Sequence, residues 1–207
     1  ISVPIIGLIN LGVLYPLLVV PVAIVGASTT FNFLAGFNGL ETSQGIIILS
    51  GLSLISYFKG NSWLALVGFC MVFSLIAFYL FNKYPSMIFP GDVLTYAVGG
   101  MIAAMAILGN MEKVALVFFI PYIIETGLKL RGGLKKYSFG KPNKDDSLEL
   151  AYDKFYGLEH IAIYILQRVN HDKKAYEKDV VHLINMFQIV IVVIGFALFW
   201  WDVFNWI

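Results

Sequence analysis

Long apolar runs separated by short polar segments dominate this chain. A helix that crosses a bilayer needs roughly 20 mostly apolar residues, and six runs approach that length. The second run is short and could extend back through Thr42. Pro16 and Pro21 are expected to kink the first helix without ending it, since neighbouring helices can satisfy the freed carbonyls. The pattern predicts transmembrane helices at 11–30, 45–58, 63–80, 93–109, 114–128 and 183–201.

Composition and charge placement support a membrane protein and give it an orientation. Hydrophobic residues make up 59% of the chain and charged residues 13%, and a soluble domain could not bury so much apolar surface. Eleven of the 14 Lys and Arg residues lie in the one long loop between the fifth and sixth spans, which predicts that this loop is cytosolic. These eleven are Lys129, Arg131, Lys135, Lys136, Lys141, Lys144, Lys154, Arg168, Lys173, Lys174 and Lys178.

The basic loop, residues 129–182, is expected to fold. Apolar residues alternate with polar or small ones in SLELAYDKF, which predicts a short strand after a turn at KPNKDD. In GLEHIAIYILQRV, apolar residues recur at helical spacing and predict an interfacial amphipathic helix: Leu158, Ile161, Ile165 and Val169. We therefore predict an all-α polytopic membrane protein with a single integral membrane domain over 1–207. Its cytosolic loop contains a short β segment and an amphipathic helix.

Two polar breaks interrupt the apolar runs. FNFLAGFNGLETSQ at 31–44 contains two asparagines, two glycines and a glutamate, and FPGD occupies 89–92. Unpaired polar groups are costly in hydrocarbon, so such a break normally lines a cavity, a ligand site or the water interface. Counting spans outward from the basic loop places both breaks on the cytosolic side and segments 59–62 and 110–113 on the other. The two breaks together predict a ligand site at one membrane face.

Single residues in these breaks also have simpler explanations. Asp92 directly precedes an apolar span and would make a good N-cap. Asn32 alone could be an interhelical hydrogen-bonding residue, and Phe89 alone an interfacial anchor. Asn32 and Asn38 are six positions apart, which turns them roughly 240° from each other on an unbroken helix. They can share a site only if the helix unwinds between them, and Gly36 is placed to allow it.

Three other residues have mainly structural readings. Glu125 lies inside the fifth predicted span, and an intramembrane carboxylate suggests a functional site. Lys129 lies four residues later, however, in the orientation that favours an ion pair. Cys70 stands alone in an apolar run and is expected to be a small buried hydrophobic residue.

The two motifs together resemble a known family. FNFLAGFNGLE followed by YPSMIFPGD is similar to the polyprenyl-phosphate N-acetylhexosamine-1-phosphate transferase superfamily, glycosyltransferase family 4. The closest resemblance is to the archaeal and eukaryotic UDP-N-acetylglucosamine dolichyl-phosphate N-acetylglucosamine-1-phosphate transferases, and it continues through SLELAYDKF to HLINMF. It implies transfer of N-acetylglucosamine 1-phosphate from UDP-N-acetylglucosamine to a polyprenyl (dolichyl) phosphate, with release of UMP. This reaction begins lipid-linked oligosaccharide synthesis for N-glycosylation.

The resemblance also implies roles for individual residues. The first asparagine of the NxLAGxNG motif and the aspartate of the GD motif would bind Mg²⁺, or Mn²⁺, on the diphosphate; here they are Asn32 and Asp92. Mg²⁺ prefers oxygen ligands and usually keeps several waters, so one carboxylate and one amide oxygen suffice. Asn38 and Phe89 are the residues expected to hold uracil. Two glycines are expected to let the backbone approach the nucleotide: Gly36 and Gly39.

The chain also departs from the family pattern. The arginine and histidine residues that relatives carry in the basic loop are absent, so Lys135 and Lys136 become the candidates for phosphate contacts there, or for contacts with the anionic membrane surface. The aspartate pair of the family lies upstream of anything resembling Asn32. We therefore expect this chain to be the carboxy-terminal part of a transferase, with its catalytic residues in an amino-terminal half.

The expected partners are that amino-terminal half, a second copy in a homodimer, UDP-N-acetylglucosamine, a polyprenyl phosphate and the membrane, with no nucleic acid. The expected location is the cell membrane of an archaeon, or the endoplasmic reticulum of a eukaryote, with the active site facing the cytosol. The alternatives are a related transferase for another UDP-amino sugar, or a non-enzymatic transporter or binding protein whose broken helix binds an ion or nucleotide sugar. The position of both breaks near one face, rather than at the midplane, favours the transferase.

Overall fold

The computed structural model describes residues 2–3, 7–8 and 12–199, and these residues are mostly helical. A π-helical turn at Tyr15–Val19 leads into the helices, which are α1 Val20–Phe33, α2 Leu40–Phe58, α3 Ser62–Asn82, α4 Gly91–Leu108, α5 Glu112–Phe118, α6 Ile120–Arg131, α7 Leu158–Val169 and α8 Glu177–Leu198. The strands β1 Ser2–Val3 and β2 Gly7–Leu8 pair antiparallel. A second antiparallel sheet has the order β3 Lys141–Pro142, β4 Ser147–Glu149 and β5 Ala175–Tyr176.

Four helices in the described part of the chain are long and apolar enough to cross a membrane: Tyr15–Phe33, Ser62–Asn82, Gly91–Leu108 and Glu177–Leu198. They correspond to the first, third, fourth and sixth predicted spans. The first continues through both of its prolines, because the chain widens to a π-helical turn before α1. Cys70 is exposed on α3, so the expectation of a buried thiol is wrong. Its helix turns one face to α2 and leaves the other outside the bundle.

The second and fifth predicted spans are not among the four long apolar helices. α2 begins with the polar sequence LETSQ and is buried along most of its length, so it packs against protein over most of its surface. The fifth span divides at Phe119 into α5 and α6, because Pro121 has no N–H to continue the helix. At this break the Gln188 side-chain amide donates to the Phe118 carbonyl oxygen at 2.9 Å. Six complete spans are therefore not confirmed.

Small residues allow the helices to approach closely. A Cβ atom added at Gly99 of α4 would lie 2.7 Å from the Ala27 carbonyl oxygen of α1. The buried Phe118 ring occupies the space left by two other glycines, since a Cβ at Gly51 or Gly195 would lie 2.8 or 2.5 Å from it. Small residues at helix contacts are the usual way in which membrane helices gain packing contacts.

Polar side chains join α2, α6 and α8 inside the bundle. Asn185 Oδ1 accepts hydrogen bonds from Gln44 Nε2 at 2.9 Å and from Ser43 Oγ at 3.0 Å. The Tyr122 hydroxyl donates to Gln44 Oε1 at 3.3 Å, and its ring stacks on Phe31 with 5.0 Å between centroids. These contacts fix the start of α6 beside the last turn of α1.

The long loop forms a folded insert, which we define as residues 132–176. β4 is the short strand predicted after the turn at KPNKDD. The structure adds β3, which pairs with β4 as a hairpin, and β5, which pairs with β4 with Ser147 opposite Tyr176. The Lys174 ammonium hydrogen-bonds the Asp145 carboxylate at 2.5 Å and holds the pKa of Asp145 below its usual range. The predicted helix is α7, and Val169 on its apolar stripe is exposed, so its contact with a membrane surface stays a prediction.

Candidate functional site

The two polar breaks lie side by side at one end of the bundle. We call this end the motif face and define it by residues 32–41, 82–92 and 177. Thr42 Oγ1 donates to Asn82 Oδ1 at 2.6 Å, and Asn82 Nδ2 donates to the Ile88 carbonyl at 2.9 Å. A Cβ at Gly39 would lie 3.1 Å from Lys83 Cα. The predicted convergence of the two breaks is therefore confirmed.

The opposite end of the bundle joins the segments that were predicted to face the other side. Lys59 Nζ donates to the carbonyl oxygens of Gly109 and Asn110 at 3.0 and 3.1 Å. The 59–62 and 110–113 turns therefore meet away from the motif face.

Asn32 and Asp92 are connected through Thr95. The close contact at Gly99 brings the last turn of α1 against the first turns of α4, where Thr95 Oγ1 lies 2.8 Å from Asn32 Oδ1. The same hydroxyl lies 3.0 Å from the Asp92 carbonyl oxygen. The interhelical hydrogen bond considered for Asn32 is therefore present. A carbonyl oxygen has two lone pairs, so this bond leaves a second one for another partner.

The Asp92 side chain is open to a ligand. It is exposed in the first turn of α4, where Pro90 is the N-cap residue and no side chain caps the helix. The described residues offer no hydrogen bond to its carboxylate. Capping therefore does not explain the aspartate.

The donor set suits Mg²⁺ in chemistry, because Asn32 offers an amide oxygen and Asp92 a carboxylate. Across residues 12–199 there is no group of three or more His, Cys, Asp or Glu side chains that could hold a metal ion. A metal held by Asn32 and Asp92 would therefore need water or substrate oxygens to complete its ligands, which is the usual arrangement for Mg²⁺ at phosphates.

The helix unwinds between Asn32 and Asn38, as predicted. α1 ends at Phe33, and residues 34–39 form an irregular loop before α2 begins at Leu40. Two carboxylates hold this loop: Glu41 Oε1 accepts the Gly36 N–H at 2.5 Å, and Glu177 Oε1 accepts the Asn38 N–H at 2.6 Å. Asn38 Oδ1 is buried and has no hydrogen-bond partner among the described residues. This oxygen is therefore an unsatisfied acceptor among the described residues.

The motif glycines make room for protein groups. Gly36 has φ +128°, and a Cβ there would lie 2.3 Å from the Phe139 ring. Gly39 has φ +81°, and a Cβ there would lie 2.9 Å from the Tyr79 ring. Both positions need glycine for conformation and for space. A close approach of nucleotide to these glycines stays a prediction.

Phe89 is exposed on the motif face, and the two lysines are exposed on the insert. The Phe89 side chain is 66% exposed, so its ring is free to stack. Lys136 Nζ lies 4.8 Å from the Tyr152 ring centroid, and Lys135 is exposed. Neither lysine hydrogen-bonds Asn32 or Asp92 within the described chain. Their segment nevertheless reaches residues 34–39, which we call the motif loop, because the centroids of the Phe139 and Phe37 rings lie 5.7 Å apart.

Buried carboxylates lie where the insert joins α6. Glu125 is fully buried, accepts the Leu158 N–H at 2.6 Å and forms the predicted ion pair with Lys129 at 3.7 Å. It therefore satisfies a free N–H at the start of α7. Glu159 is 1% exposed, and its Oε2 has no hydrogen-bond partner in the described residues. Burial raises the pKa of Glu159 well above its usual range, and the Glu125 charge adds to the effect.

Sequence reasoning missed Thr95 and Glu177. Thr95 lies three positions after Asp92, which is one helical turn and a usable signal. Glu177 lies 139 positions from Asn38, and nothing in the sequence pattern connects the two.

Comparisons with known proteins agree with the family that the two motifs resemble. Residues 1–110 match the family described as glycosyl transferase family 4. A Saccharolobus solfataricus protein provisionally named UDP-N-acetylglucosamine–dolichyl-phosphate N-acetylglucosaminephosphotransferase is 43% identical over 79% of this chain and 51% of its own length. A Sulfolobus acidocaldarius protein with the same provisional name is 34% identical over 80% and 51%. A Streptococcus pneumoniae phospho-N-acetylmuramoyl-pentapeptide-transferase is 37% identical over 50% and 32%. The chain thus spans about half the length of the archaeal relatives.

Proposed function

Since this chain belongs to glycosyl transferase family 4, we propose that it supplies the nucleotide-sugar site of a membrane transferase. The proposed reaction moves N-acetylglucosamine 1-phosphate from UDP-N-acetylglucosamine to a polyprenyl phosphate such as dolichyl phosphate and releases UMP. The names of the two archaeal relatives support this donor and acceptor. Because the chain spans about half of their length, we assign it nucleotide-sugar binding and expect residues outside it to act on the acceptor phosphate.

One observation carries the proposal. Two motifs that are 60 positions apart bring the Asn32 side-chain oxygen and the Asp92 backbone carbonyl to the same threonine hydroxyl. The Asp92 carboxylate there is exposed and has no partner in the described chain. If Asn32 and Asp92 had only a structural role, both side chains would be expected to hydrogen-bond within the protein. This arrangement instead leaves a carboxylate and an amide oxygen at the motif face that can bind an ion held by a diphosphate.

Different residues of the motif face would bind different parts of the donor. Asn38 Oδ1, a buried acceptor without a partner, fits the N–H of a uracil ring. The exposed Phe89 ring offers a surface for stacking, which contributes about 1–3 kcal/mol per base. Asn32 and Asp92 would hold Mg²⁺. When bound, Mg²⁺ neutralises charge on the diphosphate and on the leaving phosphate.

The reaction itself is a phosphoryl transfer. An oxygen of the acceptor phosphate forms a bond to the β-phosphorus of the donor, and the bond from that phosphorus to the bridging oxygen of UMP breaks. We propose that the motif face lies at the cytosolic membrane surface, because the insert beside it contains most of the basic residues.

The deciding experiment measures UMP release with UDP-N-acetylglucosamine, dolichyl phosphate and Mg²⁺, using this chain in membranes together with the amino-terminal half of a relative. Asp92→Ala should lower release by at least roughly a hundredfold, at any Mg²⁺ concentration, because it removes the only carboxylate of the proposed metal site. Asp153→Ala is the matched control, since Asp153 is exposed on the insert. Wild-type turnover in Asp92→Ala would refute the metal assignment.

A second donor deserves a parallel assay because of the similarity to the bacterial pentapeptide transferase. UDP-N-acetylmuramoyl-pentapeptide and UDP-N-acetylglucosamine should be offered separately to the same membranes. UMP release with only the former would replace the proposed sugar while keeping the reaction. A transporter would move labelled nucleotide sugar across the membrane without forming UMP.

A further inference from the structure

The first turn of α8 reaches across the bundle end to the motif loop. Glu177 Oε1 accepts the Asn38 N–H at 2.6 Å. Glu177 directly follows β5, and β5 is fixed by its antiparallel register with β4, in which Ser147 faces Tyr176. Glu177 therefore lies where the insert passes into α8, a helix that Asn185 also joins to α2, and it is not part of the motif loop itself.

A second carboxylate holds the same loop from its other side. Glu41, in the first turn of α2, accepts the Gly36 N–H at 2.5 Å. Residues 34–39 belong to neither α1 nor α2, and within the described chain only the carbonyls of Phe37 and Gly39 accept from the start of α2. The two carboxylates therefore hold the N–H groups of Gly36 and Asn38, which make no regular backbone bond. Hydrogen bonds to a carboxylate are shorter and about twice as strong as neutral ones. The loop is thus held at two N–H groups that are two residues apart.

The Asn38 side chain is the group whose direction depends on this bond. Its Oδ1 is buried without a partner, although the backbone N–H of the same residue is fully used. A rotation of the peptide at Asn38 would move this oxygen away from its present direction. We propose that Glu177 is a positioning residue, which holds the Asn38 backbone so that the Asn38 amide oxygen meets the base of the nucleotide.

The proposal rests on the proposed function, in which Asn38 is a ligand of the base. It adds a physical connection that runs from β4 through β5 and Glu177 to the motif loop. The insert, which carries the candidate lysines, would thereby influence how well the nucleotide is held. The competing explanation is that Glu177 only stabilises the start of α8 through its charge near the positive helix end.

The structure provides a matched control for that explanation. Asp179 is a second carboxylate in the same first turn of α8, and its side chain makes no hydrogen bond to the motif loop in the described chain. It has the same favourable position relative to the helix dipole. Glu177→Ala and Asp179→Ala therefore remove the same charge from the same turn, and only the first removes the bond to Asn38.

Two measurements test the proposal on the complete transferase in detergent or membranes. The first is hydrogen exchange of a peptide covering residues 34–40, which needs no turnover. The second is steady-state UMP release, from which KM for the nucleotide sugar is separated from kcat. Glu177→Gln is included because its amide oxygen can still accept the Asn38 N–H.

We expect Glu177→Ala to speed exchange in the loop and to raise KM roughly tenfold to a hundredfold, with a smaller change in kcat. Glu177→Gln should remain within a fewfold of wild type in both measurements, and so should Asp179→Ala. Unchanged exchange and KM in Glu177→Ala would overturn the proposal. An equal KM increase in Asp179→Ala would also overturn it, in favour of the helix-charge explanation.

Failure of the proposed function would look different. A wild-type protein that releases no UMP contradicts the transferase, while exchange in the motif loop still decides whether Glu177 holds Asn38. If Glu177→Ala does not fold, Glu177→Asp gives the second test. Its carboxylate is one methylene shorter, so loop exchange and KM should lie between those of wild type and those expected for a lost bond. Wild-type values in Glu177→Asp would overturn the proposal.

Discussion

At the scale of residues, a single hydroxyl group links the two motif positions. Thr95 is 1% exposed and lies within hydrogen-bond distance of both Asn32 Oδ1 and the Asp92 carbonyl. A threonine can fix its neighbours in this way because its side chain is short and rigid at χ1. The direction of the Asn32 amide therefore depends on a residue outside both motifs.

Thr95→Val tests this dependence with almost no change in shape. A neutral hydrogen bond contributes about 0.5–1.5 kcal/mol, so UMP release at limiting Mg²⁺ should fall roughly twofold to tenfold. Higher Mg²⁺ should recover part of the activity, because the ligands remain present. Thr30→Val is the control, since Thr30 bonds only carbonyls of its own helix. Equal effects of the two substitutions would contradict a role for Thr95 at the site.

The buried Glu159 gives a stability prediction that depends on pH. Burial and the charge of Glu125 raise the pKa of Glu159 above its ordinary value of 4.5. At pH values between 4.5 and the raised pKa, Glu159 is therefore protonated in the folded chain and ionised in the unfolded chain. The contribution of Glu159 to stability is therefore lost as pH rises above 4.5 towards the folded pKa. The other charged groups that face Glu159 are Lys129 of α6 and Glu41 of α2.

Glu159→Gln should accordingly raise the melting temperature at pH 8, and the difference from wild type should shrink as the pH falls to 4.5. Thermal unfolding in detergent at several pH values measures this effect. Glu149→Gln is the matched control, because Glu149 is an exposed carboxylate on the same insert. A constant difference across this pH range would show that Glu159 is ionised in the fold.

At the scale of elements, the contact between α1 and α4 positions Asn32 and Asp92, the two residues proposed to bind metal. Gly99 lets the two helix backbones meet, since the nearest atoms to a Cβ there are backbone atoms of Ala27 and Ser28 at 2.7 Å. Backbone atoms cannot rotate away as a side chain can. Any larger residue must therefore separate the helices and move Asn32 away from Thr95.

Gly99→Val should destabilise the protein by about 1–3 kcal/mol, as overpacked positions do. It should also reduce UMP release by more than the stability loss explains, because the Asn32 and Asp92 pair is displaced. Gly26→Ala is the control, as nothing lies within 4 Å of a Cβ at Gly26 of the same α1 helix. Unfolding and UMP release are measured on the same preparations, and wild-type behaviour of Gly99→Val would refute the contact.

At the scale of the whole molecule, the two ends of the bundle differ in charge and in chemistry. The motif face adjoins the insert, which holds most of the basic residues, whereas the other end joins Lys59 to the 109–110 turn. Basic loops remain on the cytosolic side during membrane insertion. This asymmetry predicts that nucleotide sugar enters from the cytosol.

Cysteine labelling measures this orientation. Cys70 is exposed and must first be replaced by alanine. In that background, Lys144→Cys on the insert should react with a membrane-impermeant maleimide only in inside-out vesicles. Asn61→Cys at the other end should react only in right-side-out vesicles. The reverse pattern would invert the proposed topology.

The sequence by itself determined the membrane class, four helices that are long and apolar enough to cross a membrane, the folding of the insert and the positions of the two motifs. Hydrophobic runs, charge placement and local spacing are properties of neighbouring residues. It also predicted that the helix unwinds between Asn32 and Asn38 if the two share a site, with Gly36 placed to allow it. It missed the break at Phe119, although Pro121 was visible, because a hydrophobic run reports burial and not helix continuity.

The tertiary structure alone decided which distant groups meet. The Asn32–Thr95 contact needs the approach of α1 to α4 at Gly99, and the Asn38–Glu177 bond needs the start of α8 to lie beside the motif loop. The tertiary structure also showed that the rings of Phe139 and Tyr79 occupy the space beside the motif glycines Gly36 and Gly39. Contacts of this kind depend on packing geometry between elements, and no pattern along a single chain segment specifies that geometry.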